Sequence, residues 1–170
     1  SSELKFRSFL FYNNFPKNPL SPTRGMPSGG VYNLVGNNMN RQNDLGNINY
    51  QNACAIRVCR ALNYSTNANG EFAYRVPVFF NKRGEQKSEK GDDNLNYILD
   101  AESLLAYMLK TFRNNPPIHL VNKTPVEIKE ELTGKWGIYI ILPKDRAAFG
   151  ASGHADFWSD TGAITGSYLD

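Results

Sequence analysis

The 170-residue chain is predicted to fold as an α+β protein in which N-terminal helices pack on a C-terminal antiparallel β-sheet. Two helix-like patterns lie between residues 52 and 113, whereas β-forming residues concentrate after residue 136. Helices that precede strands along the chain are typical of the α+β class. With 41% hydrophobic residues, a chain of this length can bury a proper core, so residues 1–170 are expected to form a single domain.

The N-terminal quarter is predicted to hold little regular structure. Residues 3–12 are rich in aromatic side chains and are expected to form a short helix. Residues 13–49 are rich in Asn, Pro and Gly, which argues against a long regular element. A loop of this length in a compact domain is either disordered or functional, so we expect it to wrap the body and form one wall of a cleft.

Two helices are predicted in the middle of the chain. The first spans 52–62, with Asn52 as its N-cap and apolar residues at i, i+3, i+4 and i+7. The second begins after Asp100, carries a wide apolar stripe and is expected to end at 114–117, where two prolines follow an Asn pair.

Strands are predicted on both sides of the second helix. Residues 73–80 look extended, although Pro77 indicates an edge or irregular strand, and 81–93 read as a charged, solvated loop. The β-branched run 137–142 is typical of a strand buried on both faces. Residues 154–158 and 163–169 are expected to form a hairpin around a turn at 159–162.

Composition argues against several classes of function. The net charge of +3 comes from Lys and Arg residues scattered along the chain, so no nucleic-acid partner is expected. No apolar run approaches the ~18 residues of a membrane span, and we see no signal peptide. Cys54 and Cys59, five apart on one helix, would point to different faces, which predicts two free thiols and a reducing compartment.

Cys54 is the candidate nucleophile. A buried cysteine near a helix start is by itself more often a core residue, and we assign Cys59, one turn deeper, to the core. In a helix capped by Asn52, however, Cys54 falls in the first turn, where free N–H groups and the helix dipole stabilise a thiolate. The backbone N–H groups of Ala53 and Cys54 could also bind an oxyanion.

His154 is the candidate base. His119 follows a double proline and is interpreted as a surface or strand-start residue. His154 instead follows Gly153, which permits close backbone approach, and it precedes an aromatic strand. A histidine that meets a helix-start cysteine across a cleft can act as a general base.

A third group must orient the imidazole. Asp156, two residues along the same strand, shares a face with His154 and is our choice. Ser167 would lie opposite His154 in the hairpin, Asp160 lies in the turn and Asp170 at the chain end, and these remain alternatives. Cysteine spacing does not fit a zinc site, so neither a metal nor another cofactor is expected.

Four short runs, in order and at matching separations, resemble the amidase effectors of bacterial type VI secretion, the fourth of their amidase families. They are Asn52-Ala53-Cys54-Ala55-Ile56-Arg57, Leu62-Asn63, Gly134-Lys135-Trp136-Gly137-Ile138 and Gly153-His154-Ala155-Asp156-Phe157-Trp158. The resemblance covers the chain from about Gly29 to the hairpin end. It implies a papain-like cysteine peptidase fold of the NlpC type, with Cys54 as nucleophile and His154 as base.

The resemblance also implies a biological role. The family cleaves the peptide stem of peptidoglycan, commonly at the D-glutamyl–diaminopimelate amide, and a cognate immunity protein neutralises it in the producing cell. Such a protein is made in the bacterial cytoplasm and exported by the type VI machine to the periplasm of a target cell. In this chain the family's acidic third residue falls near Ser167, which is not a carboxylate. We expect Asn52 and Gly153 to contact the substrate, and the 16–46 and 81–93 loops to form the cleft walls.

Two other functions remain open at this stage. A cell-wall-binding or protein-binding domain without enzymatic activity could keep the fold, because the acid opposite His154 is missing. An enzyme of the same fold could also act on a thioester or a lipid acyl group. Permuted members of that broader class often place His before Cys, whereas here Cys comes first.

Overall fold

The computed structural model describes residues 8–114, 117–166 and 169, which hold seven α-helices and seven short strands. In chain order these are α1 (Ser8–Asn14), β1 (Lys17–Asn18), β2 (Ser21–Gly25), α2 (Ser28–Val35), α3 (Asn37–Asp44), α4 (Cys54–Tyr64), β3 (Ser88–Lys90), β4 (Asn96–Ile98), α5 (Ala101–Thr111), α6 (Pro125–Leu132), β5 (Gly137–Ile141), α7 (Arg146–Phe149), β6 (His154–Ser159) and β7 (Gly162–Ala163).

Helix α4 is the centre of the core. Nine of its eleven residues are buried, including the polar Arg57 and Asn63, and the helix packs against α1, β4 and β6. Burial on all sides explains why its sequence is apolar beyond one face. The prediction of a helix here is confirmed, but α4 begins at Cys54 rather than at residue 52.

The prediction that 13–49 forms one long loop is wrong. Besides the β1–β2 hairpin, this stretch holds α2 and α3, each of eight residues. Val31, Val35 and Met39 supply a buried face at helical spacing, so burial outweighs the polar composition. Gly36 separates the two helices at φ 65°, and a Cβ there would lie 1.9 Å from the Asp92 carboxylate.

The predictions of the N-terminal helix and of the helix after Asp100 are partly confirmed. The short N-terminal helix extends to Asn14, and residues 1–7 lie outside the described part of the chain. Asp100 caps α5 as predicted, accepting a 2.8 Å hydrogen bond from the Ser103 N–H, and the helix ends at Thr111, before the predicted stop at 114–117. Helix α6, which Thr124 caps, was not predicted.

The predicted strand at 73–80 does not form a ladder. Its only recorded pairing is one bridge between Phe80 and Gln86. Side chains take the backbone N–H groups that a ladder would need: Asn63 binds the Val76 N–H and Ser88 binds the Phe79 N–H, both at 2.8 Å. The predicted 81–93 loop instead includes β3, which pairs with β4 in an antiparallel hairpin.

The C-terminal sheet has the order β5–β6–β7 and is antiparallel, as predicted. All six residues of the central strand β6 are buried. The edge strand β5 is only half-buried, with Tyr139 its one buried residue, so the prediction that 137–142 is buried on both faces is wrong. Pairing of Ile141 with His154 and of Tyr139 with Asp156 puts His154 and Asp156 on one face of β6.

Strand β7 is much shorter than the predicted 163–169. The predicted register is correct, because Ser159 pairs with Gly162 and Trp158 with Ala163. The ladder then stops because the N–H of Gly166, the next donor after that of Ile164, donates to the side chain of Asp156 instead of to the backbone of β6. No described helix is long and apolar enough to cross a membrane.

Candidate active site

Cys54 is the first residue of α4 and is only 3% exposed. Its backbone N–H donates a 3.0 Å hydrogen bond to Oδ1 of Asn52. Ala53, not Asn52, occupies the N-cap position, and it makes no side-chain cap. The predicted N-cap is therefore wrong by one residue. The Asn52 side chain instead closes a local turn by accepting the backbone N–H two residues further along, that of Cys54. This bond occupies one of the two N–H groups that were predicted to bind an oxyanion.

His154 begins β6 and is also 3% exposed. Gly153 before it is buried, and a Cβ there would lie 2.9 Å from the carbonyl oxygen of Ile141 and 3.2 Å from the Cβ of Ala101. Glycine thus lets the start of β6 lie directly against β5 and α5. This packing accounts for Gly153 independently of the substrate contact that was predicted for it.

Asp156 lies beside His154, as the strand spacing predicts. Its Oδ2 is 3.1 Å from Nε2 of His154, and the residue is fully buried. The carboxylate also accepts hydrogen bonds from the N–H groups of Phe157 (2.8 Å), Thr165 (2.8 Å) and Gly166 (3.1 Å), and from the Thr165 hydroxyl (3.1 Å). Backbone donors at these distances hold the carboxylate in one orientation against the imidazole.

The His154 imidazole connects Asp156 to Cys54. Because Nε2 faces Asp156, Nδ1 is the ring nitrogen left for the Cys54 thiol. Burial acts to lower the pKa of His154, but the hydrogen bonds to Asp156 and Cys54 and the charges of both residues outweigh it and raise the pKa to about 9. The cysteine, imidazole and carboxylate therefore act on one another at the junction of α4 and β6.

Tyr32 supports the turn that leads into Cys54, Arg57 joins α4 to the segment that leads into α2, and the sequence pattern did not single out either residue. The Tyr32 hydroxyl donates to the Asn52 carbonyl at 3.2 Å. Burial raises the pKa of Tyr32, and the charge of Cys54 raises it further. Arg57 is 4% exposed and donates from Nε to the Met26 carbonyl at 2.8 Å. The sequence carried no signal for Tyr32 because it falls in the stretch that was predicted to be a loop.

Of the other candidates, the structure describes Asp160 and His119, and both are exposed, Asp160 in the β6–β7 turn and His119 as predicted. Ser167 and Asp170 lie outside the described residues. Cys59 is fully buried, and burial raises the pKa of its thiol to about 12. In residues 8–114, 117–166 and 169, no three His, Cys, Asp or Glu side chains meet in a way that could hold a metal ion.

Residues 50–168 match the family model of the type VI secretion system (T6SS) amidase effector protein 4, Tae4. The chain belongs to the Tae4 family. The matched segment contains Cys54, His154 and Asp156, and it includes the runs on which the resemblance to the fourth amidase family rested. That resemblance is confirmed, and with it the prediction of an amidase effector over a purely binding domain. No curated protein sequence matches the chain.

Three solved structures show that this Tae4-family chain has the fold of known Tae4 proteins. The Tae4–Tai4 effector–immunity complex from Enterobacter cloacae aligns at TM-score 0.63 and 22% identity over 92% of this chain and 82% of that one. Tae4 from Salmonella typhimurium, bound to the immunity protein Tai4 from E. cloacae, gives 0.64 and 20% over 95% and 84%. E. cloacae Tae4 alone gives 0.63 and 22% over 93% and 83%. The α+β class is thereby confirmed.

Proposed function

We propose that this protein is a peptidoglycan amidase that a type VI secretion system delivers into a target cell, and that it hydrolyses an amide of the peptide stem through Cys54. The buried set of Cys54, His154 and Asp156, in which Asp156 binds the imidazole and Cys54 raises its pKa, carries the proposal. A thiol paired with an imidazole, which is in turn held by a third group, is the arrangement that nucleophilic acyl transfer needs. The cleaved bond proposed is the D-glutamyl–diaminopimelate amide.

The reaction proposed is a two-step acyl transfer. The Cys54 thiolate attacks the stem carbonyl carbon while His154 holds the former thiol proton. As the C–N bond breaks, the imidazolium gives that proton to the leaving amine, and a thioester remains on Cys54. Water then attacks the thioester, His154 takes one of its protons, and the thiol is restored when the carboxylic acid product leaves.

Asp156 is proposed as the residue that orients His154. Its 3.1 Å contact to Nε2 leaves Nδ1 for Cys54, and a negative charge there favours the imidazolium. The place of the family's acidic residue falls near Ser167 in this chain, which is not a carboxylate. A carboxylate two residues after the histidine on the same strand can supply the same charge from the same sheet.

Asn52 is proposed to move away from the Cys54 N–H when substrate binds, which would open an oxyanion site. At rest its Oδ1 accepts the Cys54 N–H at 3.0 Å, but Asn52 itself is exposed. Rotation of this side chain would release the N–H of Cys54, which together with that of Ala53 could bind the developing oxyanion. The exposed Asn52 amide would then be free to contact the substrate.

We also propose the periplasm of the target cell as the place of action, because peptidoglycan is found there, and a cognate immunity protein as an inhibitor. The structures of other Tae4 proteins with Tai4 support such a partner. Exposed residues of the 81–93 loop, among them Arg83 and Glu85, offer a polar surface for it. Deleting the loop tip without any loss of inhibitor affinity would contradict this placement.

The test of the catalytic proposal compares wild type with Cys54→Ala on purified peptidoglycan. Wild type should release new amino groups and alter the muropeptide profile, and Cys54→Ala should do neither. Cys59→Ala is the matched control, since it removes the other thiol from the same helix and should keep activity in the folded protein. Identical, unchanged muropeptide profiles for wild type and Cys54→Ala would overturn the amidase proposal.

A further inference from the structure

A groove opens beside the tip of the β6–β7 hairpin, and neither Cys54 nor His154 lines it. Its volume is about 770 Å³, within the range of about 300–1,000 Å³ for ligand sites. A second cavity of about 340 Å³ shares Asp160, Thr161 and Ala163 with it. The two cavities therefore lie next to each other at the hairpin tip.

Aromatic side chains form one wall of the groove. The rings of Tyr12 and Trp136 both line it and meet edge to face, with centroids 5.5 Å apart. Trp136 keeps 41% of its surface exposed although it also packs on Phe157. A half-exposed indole in a recess offers an apolar surface to a ligand ring while its neighbours stay polar.

The rest of the lining is polar but carries no net charge. Its ionised side chains are one cation, Arg24, and one anion, Asp160. Asn18, Thr23 and Thr161 add an amide and two hydroxyl groups. A lining of this kind does not favour an ion, because its charges cancel. It suits a neutral ligand that has many hydroxyl or amide groups and one apolar ring face.

We propose that this groove binds a sugar unit of the glycan strand from which the stem peptide hangs, an inference that rests on the proposed function. A pyranose ring combines hydroxyl and amide groups with a C–H face that can stack on Trp136. From His154 to Ser159, β6 spans roughly 17 Å at about 3.3 Å per residue. A stem of four residues reaches at most about 14 Å, which is short of this distance, so the sugar held here is a neighbour, along the glycan strand, of the sugar that carries the cleaved stem.

Thr165 connects the groove to the candidate active site. It lines the groove, and its N–H and hydroxyl both donate to the Asp156 carboxylate, at 2.8 and 3.1 Å. A sugar that packs on this segment would hold the donors that keep Asp156 against His154. The groove is therefore placed both to retain the polymer and to steady the group that orients the imidazole.

The first experiment measures binding without hydrolysis. Cys54→Ala protein is titrated with the tetramer of N-acetylglucosamine, and saturable binding is expected. Adding Arg24→Ala and Asp160→Ala, both exposed positions, should weaken that binding at least ten-fold. The control is Lys123→Ala with Glu127→Ala, an exposed ion pair between the residue before the α6 N-cap and the first turn of α6. It lines neither cavity, and its removal also leaves the net charge unchanged. No binding, or equal loss in both double variants, would overturn the proposal.

The second experiment compares glycan-linked stems with free stem peptide as substrates. Wild type should cleave the linked stem with a kcat/KM at least ten-fold higher than that of the free peptide. The Arg24→Ala, Asp160→Ala variant should lose this advantage, so that its kcat/KM on the linked stem falls to its own kcat/KM on the free peptide. Equal loss on both substrates would contradict a sugar site. If wild type cleaved neither the linked stem nor the free peptide, the proposed function would fail. The binding titration would still show whether the groove binds a sugar.

Discussion

The start of β6 at His154 and the turn that follows β6 after Ser159 differ in burial and in how their polar groups are satisfied. At the His154 end, the cysteine, imidazole and carboxylate are at most 3% exposed, and backbone donors hold Asp156 in place. At the Ser159 end, the turn containing Asp160 is exposed and borders an open groove. Burial gives reacting groups one orientation, whereas an open polar groove keeps hydrogen-bonding groups available to a ligand. One strand can thus carry chemistry at one end and binding at the other.

The largest effect should come from removing the carboxylate at the buried end. Asp156→Ala leaves four donors and the imidazole without their acceptor, which should lower the free energy of unfolding by about 3–5 kcal/mol. Asp156→Asn keeps the shape, yet should lower kcat/KM by about 10³–10⁴, by analogy with the Asp→Asn change in a serine-protease triad. Chemical denaturation and muropeptide release are the measurements.

The matched change at the exposed end is Asp160→Asn. Because this side chain lies in an exposed turn, the free energy of unfolding should stay within about 0.5 kcal/mol of wild type. Stability losses of similar size at both positions would show that the contrast between the two ends of β6 is not real.

The second effect is a pH dependence that belongs only to the buried end. The pKa of His154 is raised to about 9 in the folded protein, above its ordinary 6.5. Its contribution to stability is therefore complete below about pH 6.5 and is lost as the pH rises through about 9. Turnover that depends on the imidazolium should fall over the same alkaline limb.

Asp156→Asn should move that alkaline limb to lower pH, because a hydrogen bond and a negative charge that favour the imidazolium are weakened. Cys54→Ser should likewise lower the pKa of His154. An NMR titration of the His154 ring in Cys54→Ser, and the pH profile of alkylation at Cys54 in wild type, are the measurements. An unshifted limb in Asp156→Asn would argue that Asp156 does not act on His154.

The smallest effect should come from Tyr32→Phe. This change removes the 3.2 Å hydrogen bond to the Asn52 carbonyl, worth about 1 kcal/mol, and should slow alkylation of Cys54 less than ten-fold. Tyr64→Phe is the control. Tyr64 is the last residue of α4, at the opposite end from Cys54, and its hydroxyl donates to Asp93. It should cost similar stability and leave the alkylation rate unchanged. Equal alkylation rates in the two variants would show that Tyr32 does not support the site.

Local patterns were sufficient where a segment's structure depends on its own residues. The apolar spacing of α4, the Asp100 cap of α5 and the hairpin register around Asp160 were all predicted correctly. Predictions failed where another part of the chain decides the outcome. Residues 28–44 are helical because their apolar face is buried in the core, and 73–80 lack a ladder because Asn63 and Ser88 bind their N–H groups.

By itself, the sequence determined the family, the order of Cys54 before His154, and the position of Asp156 on the same strand face, because motifs and period-2 spacing are local properties. Only the tertiary structure decided that the Asp156 carboxylate ends the β7 ladder and that Asn52 occupies the Cys54 N–H. The neutral groove at the hairpin tip likewise exists only in the folded protein. These features arise from contacts between segments that are distant in the chain, and such contacts depend on how the core packs rather than on any local pattern.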